Sequence, residues 1–244
     1  MYVRSALRPI ESDSPTLEWT LALASRTVVR VADGLAPAAR TLTVLRAGHP
    51  EGDAHHLLEG RSNHVFHQPS ARDTAVAIYV ALAMIKRWTP NAIVTITPTE
   101  IPLAHVEQIR IARGIASRMR DKVVVIGAKG VLGNSVLEVP NVRTIARFVE
   151  TATTVLCGTA AAVWALGRTA QPELINLLDS LSPLIGMPDE FDAIDHIYRA
   201  VPPISFARDV LERFPDRLMA LVPVDDERGV SRHAAMVVDQ ASAG

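Results

Sequence analysis

The sequence lacks the features that mark several protein classes. It has a single cysteine, Cys157, in 244 residues, which excludes an internal disulfide and fits a reducing cytoplasm. Its 25 Lys plus Arg residues are balanced by 26 Asp plus Glu residues, so it lacks the basic field that nucleic-acid binding requires. No stretch is apolar for long enough to span a membrane, and the first twenty residues are too polar for a signal peptide. We therefore expect a cytoplasmic protein that binds neither nucleic acid nor membrane.

What the sequence does have is enough apolar material for one large core. Hydrophobic residues make up 48% of the chain, and a chain of this length can bury a substantial part of them. No internal repeat divides the sequence. We expect a single domain over residues 1–230, followed by a polar C-terminal tail over residues 231–244.

The first half of the chain alternates between helical and strand-like patterns. Ser14 and Pro15 are typical of a helix start, and apolar residues at helical spacing continue to Val28. Beyond this predicted helix, the predicted strands are residues 41–45, 63–67, 92–96 and 122–126, and the predicted helices are residues 73–88 and 98–120. The alternation predicts an α/β fold with a mostly parallel sheet flanked by helices.

The second half has a different pattern. Short β-like runs at residues 136–139, 142–148 and 161–165 predict a smaller, mixed β region. Helical patterns then return, and an apolar run at residues 218–224 predicts a last strand. The predicted helices of this half are residues 172–184, 188–200 and 205–213.

One motif stands at the start of the helix predicted over residues 73–88. Residues 68–75 read Gln-Pro-Ser-Ala-Arg-Asp-Thr-Ala, and the helix is followed by a Pro-Asn-Ala turn and a strand that runs to Pro98. A Ser-Phe pair, a short helix and a strand come later, within residues 202–224. These motifs and their order resemble the mannose-1-phosphate guanylyltransferases, a family of sugar-1-phosphate nucleotidyltransferases. Order over residues 15–224 is a stronger indication than any one motif.

The resemblance implies a fold and a reaction. The fold would be the Rossmann-like GT-A nucleotidyltransferase fold. A nucleoside triphosphate and a sugar 1-phosphate would meet on its sheet with Mg²⁺, which carboxylates hold, and pyrophosphate would leave. The residues at matching positions are Gln68, Arg72, Asp73 and Thr74 for the nucleotide and Glu100 for the metal. Asp225 or Asp226 could supply a second metal carboxylate if the match shifts by a few residues.

Several residues that this reaction needs are absent from the matching positions. The family's phosphate cradle is a glycine-rich loop after the first strand, but the first glycine here is Gly34, and residues 4–9 are only a faint echo of that loop. The lysine that faces the sugar phosphate is replaced by Thr151, and the metal-binding aspartate by the longer Glu100. The aspartate of the late loop falls on Val230 unless the alignment shifts. Losses at several steps of one mechanism suggest that the reaction has been abandoned.

Other residue patterns have plainer interpretations. Five histidines between residues 49 and 67 could include metal ligands, but no Cys or carboxylate spacing completes a recognised set, and a solvated loop is the simpler interpretation. The glycines of residues 127–133 have the wrong spacing for a dinucleotide loop and indicate a turn. Cys157 is expected to be a buried structural thiol. Asp73 either contacts a base or ribose or caps the helix that follows it.

Three functions are consistent with these patterns. The first is a pseudoenzyme, a catalytically degenerate nucleotidyltransferase-like protein that acts as a regulatory or scaffolding partner and keeps a residual nucleotide or nucleotide-sugar pocket near residues 68–74. The second is an active mannose-1-phosphate guanylyltransferase with a rebuilt site, in which Arg4 or Arg8 binds phosphate. The third is a ligand-free interaction module whose apolar surface meets another protein or a second copy of itself. The first predicts no cofactor, whereas the second requires Mg²⁺.

Overall fold

The structure, a computed structural model, describes residues 17–23, 35–48, 62–98, 105–126, 135–150 and 155–223. The strands are β1 Glu18–Leu23, β2 Thr41–Leu45, β3 His64–His67, β4 Ile93–Pro98, β5 Val123–Ile126, β6 Ser135–Glu138, β7 Val155–Thr159 and β8 Leu218–Pro223. The helices are α1 Asp73–Trp88, α2 His105–Arg118, α3 Val142–Glu150, α4 Ala160–Ala170, α5 Pro172–Leu181 and α6 Glu190–Ala200. Shorter helical turns are Ala38–Arg40, Ser182–Leu184, Ala207–Leu211 and Pro215–Arg217.

All eight strands belong to one sheet, in the order β3-β2-β1-β4-β7-β5-β8-β6. The pairs β2–β3, β1–β2, β1–β4 and β5–β8 are parallel. Strand β7 is antiparallel to both of its neighbours, and β6 is antiparallel to β8. Six strands therefore point the same way. Their C-terminal ends form one side of the sheet, here called the carboxyl edge, and their N-terminal ends form the amino edge.

The mostly parallel α/β sheet predicted from the sequence is confirmed, and the smaller mixed β region predicted for the second half is represented by its antiparallel strands. Strands β6 and β7 are the antiparallel members of the same sheet, and β7 lies between β4 and β5 at its centre. The second half of the chain thus completes the sheet that the first half begins.

Helix α1 is the central helix of the larger apolar core. Its residues from Ala75 to Ile85 are all buried, as expected of a helix that is apolar on every side. It packs on β1 and β2 and is covered by α4 and α5. Trp19 and Leu21 of β1 point into this core. On the opposite face of the sheet, α2 packs on β4, β5 and β7 and forms a second apolar cluster.

The helix predicted after Ser14 and Pro15 is wrong, because residues 18–23 form strand β1. Trp19 and Leu21 face α1, whereas Thr20 and Ala22 lie on the other face, and all four are buried. A strand covered on both faces has no polar alternation, so its apolar residues also match a helical spacing. Of the predicted helix, residues 14–16 and 24–28 lie outside the described residues.

The β-like runs predicted at residues 142–148 and 161–165 are also wrong, because they are parts of α3 and α4. Each helix begins at a capping side chain: Asn141 Oδ1 accepts a hydrogen bond from Thr144 N at 3.0 Å, and Thr159 Oγ1 accepts one from Ala162 N at 3.0 Å. These caps stabilise helices in sequences rich in β-branched residues and alanine. The sequence patterns also missed β7, the short strand between the two helices.

Candidate functional site

The carboxyl edge is the candidate site, because open α/β sheets bind ligands beyond the carboxyl ends of their strands. Gln68 directly follows β3, Glu100 comes two residues after the end of β4, and Asp225 comes two residues after the end of β8. The three strands end at the same edge. The positions of Glu100, Asp225 and Asp226 themselves lie outside the described residues.

The carboxylates proposed for metal binding follow strands that are not neighbours. Strands β7 and β5 lie between β4 and β8, and three strand spacings amount to about 14 Å. One metal ion could contact Glu100 and Asp225 only if the segments that carry them cross most of this gap. The strands that precede the two candidates end at one edge but are not neighbours.

Residues 68–72 form a turn that is anchored at both ends. Gln68 N donates a hydrogen bond to Leu45 O at 3.1 Å, which continues the pairing of β3 with β2. At the other end, Arg72 Nε donates to Tyr198 O at 2.6 Å, and Ile204 N donates to Arg72 O at 3.1 Å. Arg72 therefore fastens the start of α1 to the end of α6 and the segment beyond it. This structural role was not predicted from the sequence.

Asp73 begins α1 with a left-handed backbone. Its φ is 61°, a conformation that glycine favours and that costs other residues about 1–2 kcal/mol. Its exposed carboxylate accepts a hydrogen bond from Thr74 N at 2.6 Å, and the Thr74 hydroxyl accepts one from Phe206 N at 3.1 Å. The bond that Asp73 accepts comes from the adjacent N–H and not from an N–H two or three residues on, as a helix cap requires, so the capping role of Asp73 and its contact with a base or ribose both stay predictions.

The strain at Asp73 can be separated from the hydrogen bond that its carboxylate accepts. We expect Asp73→Ala to lower the free energy of unfolding by about 1 kcal/mol, because alanine keeps the left-handed backbone and loses the acceptor. Asp73→Gly should cost less, because glycine relieves the strain while losing the same acceptor. Urea unfolding of both variants measures the two costs, and equal losses would contradict strain at this position.

Two solved structures have the same arrangement of sheet and helices over most of this chain. The mannose-1-phosphate geranyltransferase of Thermus thermophilus is 15% identical, with a TM-score of 0.58 over 84% of this chain and 73% of that one. The mannose-6-phosphate isomerase of Helicobacter pylori is 14% identical, with a TM-score of 0.57 over 86% of this chain and 99% of that one. This chain shares a fold with two enzymes named for mannose phosphates.

That likeness establishes the fold alone. The sheet is similar to nucleotidyltransferase-like folds, with a mostly parallel set of strands and a few antiparallel pairs. No protein-family model matches the sequence, and no curated protein does. Within the described part of the chain, no helix is both long and apolar enough to cross a bilayer.

The assignment of β1 moves the expected position of the phosphate cradle. In the family that the sequence resembles, the cradle follows the first strand. Because β1 is Glu18–Leu23, that position falls on residues 24–34. It does not fall on residues 4–9, whose sequence weakly resembles the loop. Residues 24–34 contain one glycine, Gly34, and lie outside the described residues.

A buried arginine forms a polar cluster on the face of the sheet that α2 covers. Arg113 Nε donates to Thr95 Oγ1 at 2.8 Å, Nη1 to Glu18 Oε2 at 2.8 Å, and Nη2 to Thr20 Oγ1 at 3.2 Å. Nη1 also donates to Leu35 O. Leu35 is the first described residue after the segment that follows β1. The side chain of Arg113 is only 5% exposed, and it ties α2 to β1, to β4 and to the end of that segment.

Cys157 lies beside this cluster in β7 and is fully buried. Its Sγ is 3.6 Å from Thr95 Oγ1, and burial raises the pKa of the thiol to about 11. A thiol with that pKa stays protonated near neutral pH and is a poor nucleophile. The sequence-based expectation of a buried structural cysteine is confirmed.

His64, one of the histidines considered as metal ligands, lies in an aromatic cluster at the amino edge. Its ring centroid is 5.4 Å from that of Trp19 and 4.9 Å from that of Trp88. Nε2 is 2.9 Å from Ala39 O, a geometry in which the nitrogen carries the proton and donates it. Among the described residues, no three His, Cys, Asp or Glu side chains are grouped to hold a metal ion. His49, His55 and His56 lie outside those residues.

The pKa of His64 should make stability depend on pH. Burial lowers this pKa from its ordinary value of 6.5, although the hydrogen bond with Ala39 opposes the shift. Because the folded protein resists the proton that the unfolded chain accepts, the stabilisation is present above pH 6.5 and is lost as the pH falls through the lower folded pKa. We expect the free energy of unfolding to fall between pH 7 and pH 5, as measured by urea titrations.

The contribution of His64 can be isolated by comparing two histidine variants. His64→Gln removes the titrating ring and should flatten the pH dependence of the free energy of unfolding. His196→Gln replaces an exposed histidine of α6 and should leave the slope close to that of the wild type. The same slope in wild type and His64→Gln would contradict the prediction.

Proposed function

We propose that this protein is a catalytically degenerate sugar-1-phosphate nucleotidyltransferase-like protein. In this proposal it has lost nucleotidyl transfer, keeps a nucleotide or nucleotide-sugar pocket at the carboxyl edge, and acts as a regulatory or scaffolding partner. The observation that carries the proposal is the segment after β1. In chain order it follows the first strand, where the family's phosphate cradle is expected, but it has the sequence Ala-Ser-Arg-Thr-Val-Val-Arg-Val-Ala-Asp-Gly, with a glycine only at its end.

Glycines matter at this position because a triphosphate is bound by backbone N–H groups that must approach it closely. Thr27, Val28, Val29 and Val31 place β-branched side chains in the segment instead. Such residues are stiff and bulky near the backbone, so they are poor substitutes for glycine in a phosphate-binding loop.

Two further positions support the loss of the reaction. Thr151 directly follows α3, where the family has the lysine that faces the sugar phosphate, and threonine carries no charge to stabilise a phosphoryl group. Glu100 replaces the metal-binding aspartate and is one methylene longer, which disfavours the strict octahedral geometry of Mg²⁺. An active enzyme would need new groups at each position; after the assignment of β1, its phosphate cations would be Arg26 or Arg30 and not Arg4 or Arg8.

The retained pocket is proposed at residues 68–74. Hydrogen bonds hold this segment at the carboxyl edge, and Asp73 and Thr74 are exposed there at the start of α1. Gln68 is half-buried at the end of β3. Its side-chain amide can both donate and accept hydrogen bonds, as recognition of a base or of ribose hydroxyls requires.

An assay for pyrophosphate tests whether the reaction is lost. With GTP, mannose 1-phosphate and Mg²⁺, we expect no pyrophosphate release above the level of a Glu100→Ala variant. Release that the wild type catalyses and Glu100→Ala does not would overturn the pseudoenzyme proposal and favour the rebuilt active site.

Thermal unfolding tests whether the pocket is kept. A ligand that binds only the folded protein stabilises it by about 1.4 kcal/mol at ten times its Kd, which raises Tm by roughly 3–6 °C in a chain of this size. We expect GDP-mannose or GTP to raise Tm, and Gln68→Ala to reduce the shift. Asn176→Ala removes an exposed side-chain amide on α5 and serves as the matched control. No shift with any nucleotide at millimolar concentration would favour the ligand-free interaction module.

The regulatory or scaffolding role requires a protein partner or a second copy of this chain. Purification from the native host at low ionic strength, followed by mass spectrometry and by measurement of the molar mass, tests this part of the proposal. A monomer that purifies alone would contradict it.

A further inference from the structure

A pocket lies at the amino edge of the sheet, at the end opposite residues 68–74. Its volume is about 380 Å³, and its lining includes Lys86, Asp121, Trp164, Arg168 and Arg217. Asp121 comes two residues before β5 and Arg217 directly before β8, which places the pocket at the N-terminal ends of these strands. Small-molecule sites typically have volumes of this order.

The pocket is well separated from the proposed nucleotide pocket. Helix α1 runs from Asp73 at the carboxyl edge to Lys86 near its other end, and thirteen residues of helix span about 20 Å. A ligand in the amino-edge pocket would therefore not compete for residues 68–74, and the inference drawn from this pocket does not depend on the proposed function.

Most of the charged side chains in the lining are hydrogen-bond donors, and Ala161, Ala162, Ala165 and Leu166 supply its apolar part. Trp164 is 6% exposed, and among the described residues its indole N–H has no hydrogen-bond partner. That nitrogen is itself buried, so a ligand in the pocket would contact the ring of Trp164 and not its N–H. The ammonium of Lys86 lies 3.9 Å over the ring of Trp164. The first turn of α4, at Ala161 and Ala162, also lines the pocket and adds the positive end of a helix dipole.

Two guanidinium groups complete the set of donors. Arg168 Nη2 is 2.6 Å from Asp179 Oδ2 on α5, and Arg217 Nε is 3.8 Å from Asp216 Oδ2. Both arginines are about half exposed, and each guanidinium has further N–H groups, because arginine offers five donors. Asp121 is the acidic residue of the lining, and Asp179 and Asp216 outside it pair with two of the three cations.

The electrostatic balance at Lys86 agrees with this arrangement. Burial lowers the pKa of Lys86, Asp179 raises it and Arg168 lowers it. The nearby carboxylate therefore only partly offsets the cost of burying the ammonium beside another cation. A bound anion would offset that cost further.

We propose that the amino-edge pocket binds a phosphate group, either free or as part of a small phosphorylated molecule. The forked donors of arginine match the oxygens of a phosphate, and a phosphate accepts hydrogen bonds at several oxygens, as this donor-rich lining requires.

The indole N–H of Trp164 provides a local readout. The chain has three tryptophans, so the ¹H–¹⁵N spectrum of the full chain should contain three indole signals, and Trp164→Phe identifies the relevant one. We expect a saturable shift of this signal on titration with inorganic phosphate at constant ionic strength. Glycerol 3-phosphate distinguishes a phosphorylated molecule from free phosphate by its tighter binding, and glycerol should cause no shift.

Charge-removing variants decide whether the lining binds the phosphate. Lys86→Gln and Arg217→Gln should each weaken binding roughly tenfold, the usual effect of losing one charged hydrogen bond. Arg110→Gln, on the exposed surface of α2, is the matched control and should bind as the wild type does. If Lys86→Gln does not fold, Arg217→Gln carries the test, because its side chain is 55% exposed.

Three results would overturn the proposal. They are no saturable shift up to tens of millimolar phosphate, the same shift in sodium chloride, and unchanged affinity in both variants. A shift that only a polyanion such as duplex DNA produces would replace the small phosphate with a macromolecular partner, and this proposal would then also be wrong.

Discussion

Replacing Gly167 with alanine should destabilise the protein by about 3 kcal/mol, at the upper end of what overpacking a core usually costs. A Cβ built on Gly167 would lie 2.5 Å from Cε1 and Cζ of Tyr79 and 2.7 Å from its hydroxyl oxygen. Carbon atoms in contact are normally about 3.5–4.0 Å apart, so α4 or the ring of Tyr79 would have to move.

The ring of Tyr79 has little freedom to move. Tyr79 is fully buried in α1, its hydroxyl donates to Val163 O at 3.3 Å, and Trp164 and Phe206 pack against its ring. The added methyl group would therefore push α4 away from α1, at the centre of the larger core. A loss of about 3 kcal/mol corresponds to a fall in Tm of roughly 6–12 °C for a chain of this size.

Gly114 provides a matched control. It is also a helical glycine, in α2, but a Cβ built there meets no heavy atom within 4 Å. Gly114→Ala should raise the free energy of unfolding by up to about 1 kcal/mol, because alanine is the better helix former. Calorimetry of the two glycine-to-alanine variants should thus give shifts in Tm of opposite sign. If Tm shifted in the same direction in both variants, the contact with Tyr79 would not be the cause of the effect of Gly167→Ala.

A double mutant tests the contact itself. Tyr79→Leu shortens the side chain that a methyl group at residue 167 would meet, and alone it should destabilise the protein by leaving a cavity. If the two positions are coupled through this contact, Gly167→Ala should cost less in the Tyr79→Leu background than in the wild type. Additive losses would contradict the steric explanation.

The elements that the sequence predicted best are those whose ends carry clear local signals. The helix predicted over residues 73–88 agrees with α1 at both ends, because Pro69 and Asp73 mark its start and an unbroken apolar run fills it. Strand β2 agrees equally well, since Thr41–Leu45 is a short β-branched run between polar segments. In these places local propensity and tertiary burial favour the same structure.

Strand β1 and helix α4 show what the sequence could not reveal. Residues 19–22 are buried on both faces, so no polar face exposes their period of two. Residues 160–170 are rich in alanine and small residues because α4 packs closely on α1 at Gly167. That composition indicates no definite structure until the neighbouring helix is known. Tertiary contacts therefore determine that β1 is a strand and that α4 is a helix.

The candidate site was predicted in part for the same reason. The motif at residues 68–74 is local and can be found from the sequence, whereas its position at the carboxyl edge follows from the strand order. The contacts of Arg72 with Tyr198 and Ile204 join residues more than 120 positions apart, and no local pattern predicts such a pair. The residues that line the amino-edge pocket likewise come from separate parts of the chain, including α1, α4 and the segment before β8.

The position of Arg113 in the sequence indicates that its side chain is buried. It lies within α2 next to the buried residues Ile109, Ala112 and Ala116, so a charged side chain interrupts the face that packs on the sheet. A cation there requires partners in the sheet, and Thr20 and Thr95 are the polar residues that β1 and β4 turn toward it.

Replacing Arg113 with methionine should cost about 3 kcal/mol, the lower end of the loss for a broken buried ion pair. Glu18 is 48% exposed and can regain water, but the hydroxyls of Thr20 and Thr95 are buried and would lose a donor. Arg110→Met, which breaks an exposed pair with Glu107, should change stability by no more than about 0.5 kcal/mol. Guanidinium unfolding of both variants measures the contrast.

The hydroxyls of Thr20 and Thr95, which lose their donor in Arg113→Met, provide the sharper test of why that variant is destabilised. If unsatisfied polar groups cause the loss, replacing them with valine, which has nearly the same shape, should recover part of it. We therefore expect Arg113→Met with Thr20→Val and Thr95→Val to be more stable than Arg113→Met alone, although each threonine substitution should destabilise the wild type. A further loss in the triple variant would mean that Arg113 acts through its packing and its bond to Leu35, and the segment after β1 would then be the element that it holds in place.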